Sequence, residues 1–313
     1  MKIAIIGTGA MACFFAARLS NIAEVHLLGT WVPQIKAIQS KGLYLTKKTT
    51  TSHHQVFATN NISNIPHVDM ILILVKTYQT ERAAKQAKYL HQNNMVVTLQ
   101  NGIGNWKTLR EHIAQEYLCV GTTTQAARIT SLGIVENSGD GSILLGNTPE
   151  IYKQIEIVAN NFRKSGFDVK ITDNIENTLW EKLIINSAIN PLTAILQKKN
   201  GYLIEDSLAQ KIMHTLAYET YNVAKAQGLH ISFAMNIKQH INSVVQKTSE
   251  NYSSMCCDYQ RNSLTEIDAI CGEVIRRGRK YNVATPVNEY VYNLIKTRKT
   301  SKNILNDIWN TIS

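Results

Sequence analysis

The chain has 313 residues, 44% of them hydrophobic and 18% charged, with a formal net charge of +10 at pH 7. That length exceeds what one typical core fills and predicts two domains, while the hydrophobic share excludes a disordered chain. No apolar run approaches the roughly 18 residues that span a bilayer, and the scattered basic residues argue against a nucleic-acid binder.

Residues 2–6 are a short apolar run, followed by Gly7-Thr8-Gly9-Ala10-Met11-Ala12 and a helical pattern through Phe15 and Leu19. Strand, Gly-x-Gly-x-x-Ala and helix in that order is the context of a dinucleotide fingerprint. There Gly7 makes the tight turn, Gly9 lets a pyrophosphate approach the backbone, and small Ala12 lets helix and strand pack closely. A tight turn with no ligand is the plainer alternative. A second strand is expected over 24–28. The turn after it, Gly29-Thr30-Trp31, has neither the acid expected for the 2′-hydroxyl of NAD nor an arginine for the 2′-phosphate of NADP. Lys36 is the next cation along the chain. Residues 43–57 read as an extended or hairpin segment.

Met70 to Val75 has the length and β-branching of a fully buried strand. It ends in Lys76, at the edge where ligands of doubly wound sheets bind, although a lysine there can simply be solvated. Met95 to Leu99 is another buried strand. It runs into Gln100-Asn101-Gly102-Ile103-Gly104, where Asn-Gly is a turn signal in its own right. Short strands and glycine turns follow over 118–146, then a helix near 149–165 and a strand near 167–171. This alternation predicts a mainly parallel sheet.

From about Glu176 the pattern is helical only. Leu179 to Thr193 is apolar nearly all round, as in a buried helix. Yet Lys182, Asn186 and Asn190 lie four apart and form one polar line along it. An unpaired buried amide costs about 1–3 kcal/mol, and an isolated charge costs more. A bound polar substrate satisfies all three; a snorkelling lysine and bridging asparagines are the other possibility. Pro191 removes one hydrogen bond and crowds the carbonyl of Ser187, which predicts a kink.

Further helices are expected over 207–227 and 232–247, from Ser263-Leu264-Thr265-Glu266, and after Thr285-Pro286 with proline at its favoured first position. Glu266, three residues after Ser263, fits a capping box. In the tail Ile304, Ile308 and Ile312 share one stripe, with Trp309 alongside Leu305, which predicts a docked short helix. The domains are expected at 1–173 and 174–313. Cys13, Cys119, Cys256, Cys257 and Cys271 are odd in number and lack a Cys-x-x-Cys pair, as for reduced thiols of a cytoplasmic protein. None of the nine histidines falls in a His-Glu-x-x-His spacing, so no metal is implied.

These motifs together resemble the ketopantoate reductase (2-dehydropantoate 2-reductase) family over nearly the whole chain, to about residue 298. The resemblance is carried by Gly-Thr-Gly-Ala-Met-Ala at 7–12, Val-Lys at 75–76, Gln-Asn-Gly at 100–102 and Gly-Thr-Thr-Thr-Gln-Ala-Ala-Arg at 121–128. It continues through Trp-Glu-Lys-Leu-Ile-Ile-Asn-Ser-Ala-Ile-Asn-Pro-Leu-Thr-Ala at 180–194, Asn-Gly at 200–201, Ser-Ser-Met at 253–255 and Thr-Glu-Ile-Asp at 265–268. The lysine-asparagine-asparagine run is far more specific than any glycine loop.

The resemblance implies an α/β Rossmann-type NADP-binding domain followed by an all-α C-terminal domain. It implies NADPH-dependent reduction of ketopantoate to D-pantoate in pantothenate biosynthesis. The implied partner is a small 2-keto acid, with no nucleic acid and no membrane, and the implied state is a monomer or homodimer. Carried over by position, Lys182 is the general acid, and Asn186, Asn190, Asn200 and Ser254 are substrate contacts. Gly7, Thr8, Gly9, Ala10, Met11, Ala12, Lys76, Asn101, Ala127 and Glu266 are cofactor contacts, with Asn101 also close to substrate. The missing arginine at 29–31 departs from the family pattern and leaves NADH open. NADPH is still expected, because no acid repels a phosphate there and Thr30, Lys36 or Lys76 can meet one. A reductase of another branched 2-keto acid and, more remotely, a non-catalytic dinucleotide-binding protein are the alternatives.

Overall fold

Ile3 to Ile6 are buried on both faces, which makes this run a central strand and not an edge. The computed structural model describes residues 1–298 and 304–312. One unit comprises Met1–Asn101 and Asn105–Ile175; the other comprises Gly102–Gly104 and the chain from Glu176 onward.

The first unit has strands β1 (Lys2–Ile6), β2 (Glu24–Leu28), β3 (Leu43–Lys47), β4 (Thr50–His54), β5 (Phe57–Thr59) and β6 (Met70–Ile73). After these come β7 (Met95–Thr98), β8 (Leu118–Thr123), β9 (Ala126–Ser131), β10 (Ile134–Gly139), β11 (Ser142–Gly146) and β12 (Asp168–Thr172). Its helices are α1 (Ala10–Leu19), α2 (Val32–Lys41), α3 (Thr80–Leu90), α4 (Asn105–Arg110) and α5 (Tyr152–Lys164).

Eight strands form one sheet in the order β12-β11-β8-β7-β6-β1-β2-β5, parallel at every step except β11 against β8. β2 lies on one side of β1 and β6 on the other, so the strand order reverses beside β1. That reversal opens a ligand crevice at the carboxyl ends of β1 and β6. The segment read as extended or hairpin is the β3–β4 hairpin, which joins a second sheet in the order β4-β3-β10-β9.

Helix α1 packs on β1 and β2 and also on β3, β9 and β10, which is why Ala12 to Ala17 and Leu19 are all buried. Phe15 stacks on Phe167 with ring centroids 4.6 Å apart and meets Phe162 edge-on at 5.9 Å. Removing such a buried ring costs about 3–5 kcal/mol, so this cluster anchors α1 in the core. All five cysteines are free thiols, and burial pushes Cys13 and Cys119 up to about 12.

The second unit is helical: α6 (Ile175–Leu196), α7 (Tyr202–Glu205), α8 (Ser207–Ala226), α9 (Ile237–Lys247), α10 (Ser254–Gln260), α11 (Cys271–Lys280), α12 (Pro286–Thr297) and α13 (Ile304–Ile312). Helix α6 runs on through Pro191. The Asp206 side chain caps α8 by accepting from the N–H groups of Leu208 and Ala209, both at 2.9 Å. Pro286 opens α12, whose next two N–H groups donate to the buried Glu219 carboxylate at 2.9 Å each. The tail helix docks on α8 and α12 with Ile304 and Ile308 buried. The Ile312 side chain lies outside the described residues. No described helix is long and apolar enough to cross a membrane.

Two helix starts differ from expectation. The helix expected from Ser232 begins at Ile237, after a 3-10 turn over Ala234–Asn236. The helix expected from Ser263 begins at Cys271, after a 3-10 turn over Ile267–Ala269. Asn262 adopts a left-handed φ of 57°, and the Ser263 N–H donates to the carbonyl of Asp258 at 2.9 Å. That closure belongs to the end of α10, so Ser263 terminates one helix and does not start the next. Glu266 accordingly makes no capping box.

Candidate functional site

At the carboxyl end of β1, Gly7 has φ +137°, and a Cβ there would sit 2.9 Å from the carbonyl oxygen of Leu74 and 3.2 Å from Cβ of Ala12. Backbone just past β6 on one side and the helix on the other therefore require glycine at position 7, close against small Ala12. At Gly9 the situation is the opposite: nothing lies within 4 Å of an added Cβ. Gly9 is the N-cap of α1, contributes no side-chain cap, and no acid stands in the first turn. The first-turn N–H groups of α1 thus face open ground, a cradle that fits a pyrophosphate. Buried Thr8 packs on Gly29, where an added Cβ would come within 2.5 Å of its hydroxyl oxygen. Ala10 and Met11 are half-buried.

Lys76 follows β6 across the crevice from the glycine turn, half-buried and at the start of the 3-10 turn Thr77–Gln79. Asn101 follows β7, one strand further. A buried polar network holds both turns. Gln100 Nε2 donates to the carbonyl of Val75 at 3.0 Å and to Thr80 Oγ1 at 2.9 Å. Thr80 Oγ1 donates to Asn105 Oδ1 at 2.9 Å, and Asn105 Nδ2 donates to the carbonyl of Asn101 at 2.8 Å. Sequence reasoning passes over Thr80 and Asn105; the one available signal is Gln100, a polar residue at the end of a buried strand. Ala127 is on β9 of the second sheet, opposite Asn137, and packs toward the core around α1.

In the helical unit, α6 carries the polar line. Lys182 and Asn186 are half-buried and Asn190 is buried. Lys182 and Asn190 are eight residues apart, about 12 Å along the axis. Burial pushes the Lys182 ammonium down from 10.5 to about 8, while the charge of Glu266 acts in the opposite direction. Glu266 is itself buried, just before the 3-10 turn that precedes α11.

Asn200 is buried, and its Nδ2 donates to Thr248 Oγ1 at 3.0 Å, while its Oδ1 has no hydrogen-bond partner among the described residues. A buried acceptor left so would cost about 1–3 kcal/mol, which a donor on a ligand offsets. Ser254 is the exposed first residue of α10. Its neighbour Ser253, not singled out by the sequence, is buried, shares a 2.7 Å hydrogen bond with Thr193 of α6 and accepts from the N–H of Cys256 at 3.1 Å. The Asn200 N–H donates to the carbonyl of Asn251 at 2.9 Å. These bonds tie the Asn190, Asn200 and Ser254 segments together. Two surface concavities of the first unit, of about 340 and 470 Å³, include none of these residues in their lining.

An ammonium with a pKa about 8, carboxamides and a serine hydroxyl form a donor-rich set suited to a carbonyl and a carboxylate. Residues 3–150 match the family model described as "Ketopantoate reductase PanE/ApbA", and residues 174–299 match "Ketopantoate reductase PanE/ApbA C terminal". The chain is similar to a 2-dehydropantoate 2-reductase of Pyrococcus horikoshii, 33% identical over 304 residues that span 96% of this chain and 98% of that protein. Among solved structures, it is similar to a D-mandelate dehydrogenase with NADH and anilino(oxo)acetate (TM-score 0.89, 28% identity, 98% of this chain and 100% of that one). It is similar also to a 2-dehydropantoate 2-reductase from Geobacter metallireducens (TM-score 0.89, 27% identity, 96% of this chain and 100% of that one).

Proposed function

The chain belongs to the ketopantoate reductase family, and from that premise we propose that it reduces the 2-keto group of ketopantoate to D-pantoate with NADPH in the cytoplasm. The observation that carries this reading is the Lys182 ammonium, brought to about 8 on the polar line of α6 with Glu266 acting on it.

Residues 1–173 hold the dinucleotide and 174–313 carry the substrate. The pyrophosphate rests on the Gly7–Ala12 turn, with Lys76, Asn101, Ala127 and Glu266 completing the cofactor contacts. When bound, the dinucleotide supplies the hydride that reduces the carbonyl carbon. Lys182 stabilises the charge developing on the carbonyl oxygen and donates its Nζ proton there, and the neutral amine then recovers a proton from water. Asn186, Asn190 and Ser254 bind the carboxylate and hydroxyl of the substrate, and Asn200 Oδ1 accepts from the hydroxyl. NADPH is the modestly favoured dinucleotide because no carboxylate stands in Gly29-Thr30-Trp31 to repel its 2′-phosphate.

The likeness to a D-mandelate dehydrogenase favours a second reading, in which the same lysine chemistry serves another branched 2-keto acid. Initial rates on a panel of 2-keto acids, with NADPH and NADH side by side, test both. Ketopantoate turning over fastest supports the first, a different acid turning over fastest supports the second, and no dinucleotide oxidation with any acid defeats both.

A further inference from the structure

The turn at the end of β2 is pinned at several points. The Gly29 N–H donates to the carbonyl of Thr59 at 3.1 Å, and Thr8 fills the space beside Gly29. The Val32 N–H donates to the carbonyl of Thr30 and the Ile35 N–H to that of Trp31, both at 3.0 Å. From this fixed backbone the Trp31 side chain remains 40% exposed. Its place is also specific. β2 runs parallel to β1 with Leu28 beside Ile6, so the turns that follow the two strands are neighbours. In a doubly wound sheet the end of the second strand is where the adenosine ribose is read, by an acid for the hydroxyl or an arginine for the phosphate. This chain has neither there; it has an exposed indole carried on a pinned backbone.

We propose that Trp31 is the platform on which the adenine of the dinucleotide stacks. The adenosine end is then recognised by a π face and not by an ion pair with the 2′-phosphate. An indole stacks on adenine whether or not the ribose is phosphorylated, so the site discriminates weakly between the two dinucleotides. This inference rests on the reading of the first unit as a dinucleotide site.

The test is calorimetric binding of ADP-ribose and 2′-phospho-ADP-ribose, which lack the nicotinamide, to the full-length protein and to Trp31→Phe and Trp31→Leu. Phenylalanine keeps a stacking face and leucine keeps only apolar bulk. The Kd of both ligands rises about tenfold or more in Trp31→Leu and stays within about threefold in Trp31→Phe, as expected for one base–aromatic stack. Wild-type affinities for the two ligands lie within about tenfold of each other, less than the separation an arginine pair with phosphate gives. Unchanged affinity in Trp31→Leu, with the wild type binding normally, overturns the role of Trp31 and leaves the proposed reductase activity standing. If the wild type binds neither fragment nor intact NADPH or NADH, the dinucleotide reading falls, and this inference with it.

Discussion

Glu266 and Lys182 are electrostatically coupled: burial lowers the ammonium to about 8, and the Glu266 charge keeps it from falling further. A proton donor works while protonated, so ketone reduction runs at its full rate below about 8 and falls as pH rises through that value. Glu266→Gln removes the opposing charge, and the alkaline limb of kcat then moves to lower pH. Profiles of kcat at saturating dinucleotide between roughly pH 6 and 10 decide this, because a limb that stays in place contradicts the coupling.

Lys182→Ala is expected to lower kcat by about 10²- to 10⁴-fold, the usual contribution of a positioned general acid. Dinucleotide binding, followed by fluorescence titration, stays close to normal, since the cradle at Gly9 is built by other residues. Lys182→Met, which keeps the stem and loses the charge, behaves alike. Wild-type turnover in either variant places the proton donor elsewhere.

The two halves differ in how much of them the sequence makes legible. Around Gly7 the determinants are local: a buried strand, a turn that only glycine can make, and a helix that must pack closely through Ala12. All three fall within one short stretch, and its periodicity exposes them. The line of Lys182, Asn186 and Asn190 is legible for the same reason, through the helical repeat alone. What acts on that line is not local. Glu266 reaches Lys182 from a distant part of the chain, and no spacing rule links them. The Ser263-x-x-Glu266 pattern even points elsewhere, toward a capping box, because a local motif cannot register that the Ser263 N–H is already spent on Asp258 and that its carbonyl accepts from Arg298 at 2.6 Å. Ser253 is hidden by a one-residue offset. Which of two adjacent serines is buried depends on Thr193, on another helix.

That offset has a measurable consequence. Ser253→Ala removes the cap of α10 and the bond to Thr193, and is expected to lower stability by about 1–2 kcal/mol. Ser254→Ala, at an exposed position, leaves the melting temperature within about a degree or two and raises KM for the keto acid, since surface changes fall within about 0.5 kcal/mol. Thermal melts and initial rates on both variants read this out. A destabilised Ser254→Ala, or a Ser254→Ala with unchanged KM, removes Ser254 from the substrate contacts.

The two glycines of the first turn separate folding from binding in the same way. Gly7 holds φ +137° with the Leu74 carbonyl 2.9 Å from any Cβ, so Gly7→Ala suffers both backbone strain and a clash with backbone that cannot move aside. Its expected cost is about 1–3 kcal/mol of stability, seen as a lower melting temperature. Gly9 has φ −80° and ψ −174°, ordinary extended backbone, with nothing within 4 Å of a Cβ. Gly9→Ala therefore melts within a few degrees of the wild type, because the freedom lost by the unfolded chain is set against alanine being a poorer N-cap than glycine. Its methyl group nevertheless occupies the ground in front of α1 where the phosphates must come, so calorimetry is expected to show dinucleotide binding weakened by at least about tenfold. A Gly9→Ala variant that binds NADPH as well as the wild type would remove the pyrophosphate from this turn, whatever the melting curve showed.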